Sequence, residues 1–349
     1  MNSSINKLFL LPALLVCLLA LWTCAQRGTP VTAPPPPTLL DNPIAELPGR
    51  LSDIGLFEKM ATETLSPRVI PYEIRYALFS DYNDKARYVF IPDGQQIDNR
   101  DPREWRFPVG TIFFKTFYLT TLGNANSPRK KIETRILQQR ENGWHVATYQ
   151  WNAESTEAYI TDGTEIRIPF SLPRGNYTYT IPGKLACLAC HQSQKNFVIG
   201  FEQIRLKTAV GGAPGDQLQI LREKDLFAVP PDESFNNIEG PPFEQDAIGY
   251  LHGNCANCHN PTSPVYSTTA LDLRYWQLKS NTINILPVKF TNGDSTQFRV
   301  KPGSPETSIL YQLMARTITD STQFMPPLGT TMIDTNGLAL VRDWILSLP

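Results

Sequence analysis

Two pentapeptides in this chain, CLACH (187–191) and CANCH (255–259), repeat one spacing of two cysteines and a histidine. Residues at i and i+3 lie near one face of a helical turn, so each motif presents its two thiols together. The histidine that follows points elsewhere on the turn. The whole chain holds four histidines and six cysteines. Two of those histidines and four of those cysteines fall in the two pentapeptides, and any fold must accommodate them.

Three chemistries use paired cysteines. A structural zinc site takes four thiolates, but compact zinc ribbons place their pairs close in sequence, and zinc gives no role to the histidines. Here the pairs are separated by 64 residues. Disulfides or a thioredoxin-like redox pair are the second option, yet no βαβ pattern surrounds either motif. The third is covalent c-type haem: the thiols form thioethers with the two vinyl groups of one porphyrin, and the following imidazole reaches the iron. The histidines favour this option. Cys187, Cys190 and His191 are then expected to hold one haem c, and Cys255, Cys258 and His259 a second.

The sixth position of each iron largely sets its chemistry. For the second haem the candidate is Met325, in FMPPLG (324–329), 66 residues after His259. Two prolines follow it, which places it on a rigid non-helical loop and not on an apolar helix face. Met332 is the alternative. The first haem has no methionine between His191 and Cys255. His252, three residues before Cys255, is its leading candidate ligand. The competing role for His252 is a hydrogen bond to a haem carboxylate or a backbone group. His145, Met60 and Met314 are weaker candidates. His145 reads as a β-strand residue and Met314 as core, as do Trp144, Trp151 and Trp276.

The N-terminus reads as an export signal. Lys7 precedes an apolar run over 8–22, shorter than the about 20 residues a membrane-spanning helix needs. Residues 1–24 are expected to be a signal peptide, with cleavage after Ala25 or, as in a lipoprotein signal, before a lipidated Cys24. Residues 25–48, with four prolines at 34–37, read as an extended linker. The formal net charge is −1, with no long basic run, which argues against nucleic acid as a partner.

Residues 49–184 read as a β-rich domain. Runs such as YVFIP (88–92), IFFKTFYLTT (112–121), IETRILQQ (132–139), WHVATYQW (144–151), EAYIT (157–161), EIRIPF (165–170) and YTYTI (177–181) are separated by short turn signals. The pattern predicts an antiparallel sandwich or barrel. Residues 185–242 form the first haem segment, with short helices in FEQIRLKTAV and GDQLQILREKDL and a loop at 230–242. Residues 243–349 are expected to be mainly helical. The helices lie at 243–255, at 304–317 with Ser304 as N-cap, and at 335–348. The fold class is α+β, multidomain.

The helix entering CANCH, the CHNP continuation, KPGSPETSIL, MPPLG and a closing helix with WI are similar to bacterial class I cytochromes c. More widely, YEIRYALFSDYNDKARYVFIP, FPVGTIFFKTF, IPGKLACLACH and YLHGNCANCHNP resemble a family of exported bacterial dihaem c-type cytochromes with a β-rich N-terminal domain. The resemblance covers about residues 48 to 349. It implies a cytochrome c fold for 243–349 and a backbone carbonyl near Pro261 as partner of the second nitrogen of His259. The two haem motifs and the export signal lead to the expectation of a periplasmic protein carrying single electrons between a periplasmic or membrane-associated redox donor and acceptor. The alternative is a dihaem peroxidase-like enzyme with an open sixth position at the first haem.

Overall fold

The computed structural model describes residues 36–120, 129–172, 175–206, 216–288 and 297–349. The expected signal, Cys24 and most of the proline-rich stretch lie outside the described residues, as does the end of FEQIRLKTAV. Residues 38–349 form one compact unit.

Among the described residues ten strands come first: β1 (Phe57–Lys59), β2 (Thr64–Leu65), β3 (Ile70–Tyr72), β4 (Asp84–Phe90), β5 (Ile112–Leu119), β6 (Lys130–Arg140), β7 (Gly143–Trp151), β8 (Ala158–Ile160), β9 (Ile166–Leu172) and β10 (Gly175–Ile181). Strands β3 to β8 pair in sequence order as one antiparallel six-stranded sheet, while β1–β2 and β9–β10 are separate hairpins. The sheet is an open meander with β3 and β8 at its edges. Among the described residues it closes into no barrel; the β9–β10 hairpin covers one face through Phe117, Ile132, Tyr179 and Ile181, and the β1–β2 hairpin packs on the other through Phe57 and Leu65.

Both faces of the sheet are occupied, which is why β5 is buried at all but one position. On one face Phe90, Ile112, Phe114, Ile136 and Tyr149 pack against Leu51 and Ile54. Leu39 and Leu40, inside the stretch expected as linker, belong to this core. On the other face Val89 and Phe113 meet Val198, Phe201, Leu218 and Phe227 from the segment after CLACH. That segment therefore uses the sheet as its floor. Burying each such side chain contributes about 1.5–3 kcal/mol, so the sheet and the first motif are joined by a sizeable apolar term.

Among the described residues eight helices follow or cross this layer: α1 (Lys184–His191), α2 (Gln203–Leu206), α3 (Gln217–Glu223), α4 (Pro242–Asn254), α5 (Tyr266–Thr269), α6 (Leu278–Thr282), α7 (Ile309–Ala315) and α8 (Thr335–Ser347). The chain is thus α+β. Helices α4, α7 and α8 enclose a further core that includes Ile248, Leu251, Leu310, Val341 and Trp344. Pro242 opens α4 where its missing N–H costs nothing, and Asp334 caps α8 by accepting from the N–H of Gly337.

The helix expected over 304–317 is broken. Residues Pro305–Thr307 make a single tight turn, Ser304 makes no side-chain cap, and α7 begins at Ile309. The N–H groups of Ile309 and Leu310 donate instead to the carbonyls of Phe298 and Arg299. A long-range pairing has outcompeted the local cap. Among the described residues no helix is long and apolar enough to cross a membrane.

Candidate functional site

Helix α1 carries all of CLACH, and CANCH follows directly from the end of α4. The two motifs meet. The sulfurs of Cys190 and Cys258 are 3.8 Å apart, and the side-chain amide of Gln194 donates to the carbonyl of Asn257 at 2.8 Å. All four cysteines are free thiols and partly buried. The contact between the two thiols lowers Cys190 to about 7 and raises Cys258. Burial raises Cys187 and pushes Cys255 to about 12.

The two histidines are held differently. Nδ1 of His191 donates to the carbonyl of Phe197 at 2.7 Å, and the ring tilts against the Phe197 ring, which itself stacks on Trp144. That hydrogen bond fixes the tautomer and leaves Nε2 bare, the arrangement a ligating imidazole needs. Nδ1 of His259 is buried without a hydrogen-bond partner among the described residues, so the carbonyl near Pro261 that the resemblance implies is not engaged. Burial holds both imidazoles at about 4, which keeps them neutral and able to donate a lone pair to a metal.

These residues fit covalently held haem: two thiols one turn apart, a neutral imidazole behind them, and for His191 a second-nitrogen partner that orients the ring. Among the described residues no group of three or more His, Cys, Asp or Glu side chains converges to hold a bare metal ion.

His252 sits elsewhere. Its Nε2 is 3.2 Å from a carboxylate oxygen of Glu202, and its ring lies edge-on to Tyr275. Glu202 also pairs with Arg205, 2.9 Å away, while Arg205 donates to the carbonyl of His252. Burial works against the charge of Glu202, but His252 and Arg205 outweigh it and hold the carboxyl at about 2. These three residues line a polar cavity of about 50 Å³ with Arg103, Arg274 and Trp276. Trp276 is a cavity residue, flanked by both arginines at 4.9 Å.

Met325 lies on a loop fixed at both ends. Its own N–H donates to the carbonyl of Leu313, and beyond it the Asp81 carboxylate accepts from the N–H groups of Thr331 and Met332. Met314 shares the helical core with Cys255, and Met325 is outside that core. Met60 packs against the sheet core, and Trp151 is part of it. His145, on β7, bonds Asn142 at the β6–β7 turn.

Sequence reasoning missed Glu202 and Asp81, because neither belongs to a motif and both act on partners far along the chain. Comparison with known proteins finds no matching family model, no similar curated protein and no matching solved structure.

Proposed function

We propose that this chain is an exported dihaem c-type cytochrome that passes single electrons between periplasmic redox partners. The supporting observation is the meeting of the two motifs at Cys190 and Cys258 with His191 pre-oriented by Phe197. Cys187, Cys190 and His191 would hold one haem c, and Cys255, Cys258 and His259 the other. The haem supplies reversible one-electron chemistry. The chain's own contribution is to attach both groups within one compact unit, to keep both imidazoles neutral, and to cover one side of the first motif with the β-sheet. Helices α4, α7 and α8 form the class I cytochrome c part in this reading, with Met325 as the sixth ligand of the second iron. Residues 1–24 direct export, and Cys24 is the candidate site of a lipid anchor.

A second reading, an open first iron with peroxidase-like reactivity, is favoured by one observation. Nε2 of His252 is engaged by Glu202, which takes the leading sixth ligand away from the first haem.

Pyridine-haemochrome absorbance and electron paramagnetic resonance of the mature, oxidised protein test both. Two haems per chain with two low-spin signals support the carrier. One high-spin signal favours the open iron, and a chain with no covalent haem refutes the whole reading.

A further inference from the structure

The sheet face beside CLACH carries a row of basic residues that ion pairing leaves only partly matched, although Lys115 and Arg135 also lie over the Phe117 ring. Antiparallel register sets Arg87 on β4 opposite Lys115 on β5, and Lys115 opposite Arg135 on β6. Like charges directly opposite one another destabilise a sheet. The neighbouring row on the same face, Lys85, Phe117 and Glu133, adds a fourth cation and one carboxylate.

Glu133 is already committed. It is fully buried, accepts from Arg135 Nε at 2.8 Å and from Arg135 Nη2 at 2.5 Å, and accepts from the Tyr179 hydroxyl at 2.6 Å. Lys85 donates to the carbonyl of Leu78. Arg87 and Lys115 have no carboxylate in ion-pair contact among the described residues. Three basic side chains in a row, partly buried between two apolar clusters, form a seat for anions.

The row also has a direction. Helix α1 packs on β7, and the cations run away from it over β6, β5 and β4. With neighbouring strands about 4.8 Å apart, Arg87 lies roughly 14 Å from β7. In a porphyrin the carboxylates lie on the edge opposite the thioether edge.

We propose that Arg87, Lys115 and Arg135 are the binding site for the carboxylates of the haem attached at Cys187 and Cys190. This rests on the dihaem reading. The row positions the porphyrin over the sheet, offsets its negative charge with Arg–carboxylate and Lys–carboxylate pairs, and raises the potential of that haem relative to a neutral floor.

The test uses the full, haem-loaded chain with Arg87→Met, Lys115→Met, Lys115→Arg and, as a control, Lys59→Met at an exposed position on β1. Haem is counted first by pyridine haemochrome. Resonance Raman then reads the porphyrin carboxylate-bending band, and a redox titration reads both midpoint potentials. Expected are a shifted band and a lowered potential for one haem only in Arg87→Met and Lys115→Met, with Lys115→Arg and Lys59→Met unchanged. Arg87 is only partly buried, on the strand farther from α1, and its variant carries the test if Lys115→Met fails to fold. Two haems with an unmoved band overturn this proposal alone, and absence of covalent haem in the unsubstituted protein overturns it together with the dihaem reading.

Discussion

The sulfurs of Cys190 and Cys258 lie 3.8 Å apart although 68 residues separate them in the chain. The contact joins the end of α1 to the turn after α4, so the two CxxCH segments share one environment. It has a chemical consequence before any cofactor is attached: two neighbouring thiols in an oxidising compartment form a disulfide unless something else consumes them. We expect chain made without haem attachment to contain a Cys190–Cys258 disulfide, and haem-loaded chain to contain none. Peptide mapping under non-reducing conditions distinguishes the two, and a haem-free chain whose four thiols all stay free under oxidising conditions would contradict the contact.

Met325→Ala removes the proposed thioether ligand. One haem is expected to lose its low-spin signal and to shift to lower potential, while Met332→Ala leaves both signals as they were. Paramagnetic resonance with a redox titration reads this directly. If the two substitutions exchange behaviour, Met332 is the ligand.

The loop that carries Met325 depends on Asp81. Its carboxylate accepts from the N–H of Thr331 at 2.9 Å, from the Thr331 hydroxyl at 2.8 Å and from the N–H of Met332 at 3.0 Å. Hydrogen bonds to a charged group contribute about 1.5–3 kcal/mol each, and they act here on one short stretch. Asp81→Ala is expected to lower stability by roughly 2–4 kcal/mol and to perturb only the haem that Met325→Ala perturbs. Asp81→Asn keeps an acceptor and tolerates the positive φ at this position, so its loss is smaller. Equal losses in thermal melts of the two variants would argue that charge, and not loop tethering, is what matters.

The carboxyl of Glu202 is held at about 2 against an ordinary 4.5. A carboxyl with a depressed folded-state pKa stabilises fully above its unfolded value and loses that contribution as pH falls from about 4.5 towards 2. The span corresponds to on the order of 3 kcal/mol. Glu202→Gln removes this term and leaves Arg205, only 1% exposed, without its carboxylate. Breaking such a buried pair costs about 3–5 kcal/mol. Urea midpoints at pH 7 should therefore fall in the variant, and its dependence on pH between 4.5 and 3 should be shallower than that of the unsubstituted protein. Parallel pH profiles would remove Glu202 from the account.

Much of the architecture was legible in the sequence for a physical reason. Strands β4 to β10 are runs of β-branched and aromatic residues bounded by turn residues, a local signal that the sheet respects, and the CxxCH pentapeptides are local by construction. What was not legible depends on pairing across the chain. The row of Arg87, Lys115 and Arg135 exists only because of strand register, and each residue alone reads as an ordinary solvent-facing charge. Asp81 reaches a loop 250 residues away. The false start at Ser304 has the same origin, since Phe298 and Arg299 supply acceptors that no local pattern announces. His252 is the instructive middle case. Its position beside Cys255 was readable, but its engagement by Glu202, fifty residues back, was not.

Two glycines on α4 make the last test. A Cβ at Gly253 would sit 2.2 Å from the carbonyl oxygen of Tyr76, and one at Gly249 would sit 2.3 Å from the Tyr76 ring. Helix propensity alone favours alanine over glycine by about 1 kcal/mol, while forced overpacking costs about 1–3 kcal/mol or more. Both Gly249→Ala and Gly253→Ala are therefore expected to destabilise, with packing outweighing propensity. The two clashes differ in kind, one with a side chain and one with backbone. In a Tyr76→Ala background Gly249→Ala should turn neutral or stabilising, because the ring it meets is gone and the propensity gain remains. Gly253→Ala should stay costly there, because the carbonyl is still in place. Chemical denaturation of the two singles, Tyr76→Ala and the two doubles measures both coupling energies. Equal rescue of both glycine variants would mean that the loop at Tyr76 relaxes as a whole and does not fix the approach of α4.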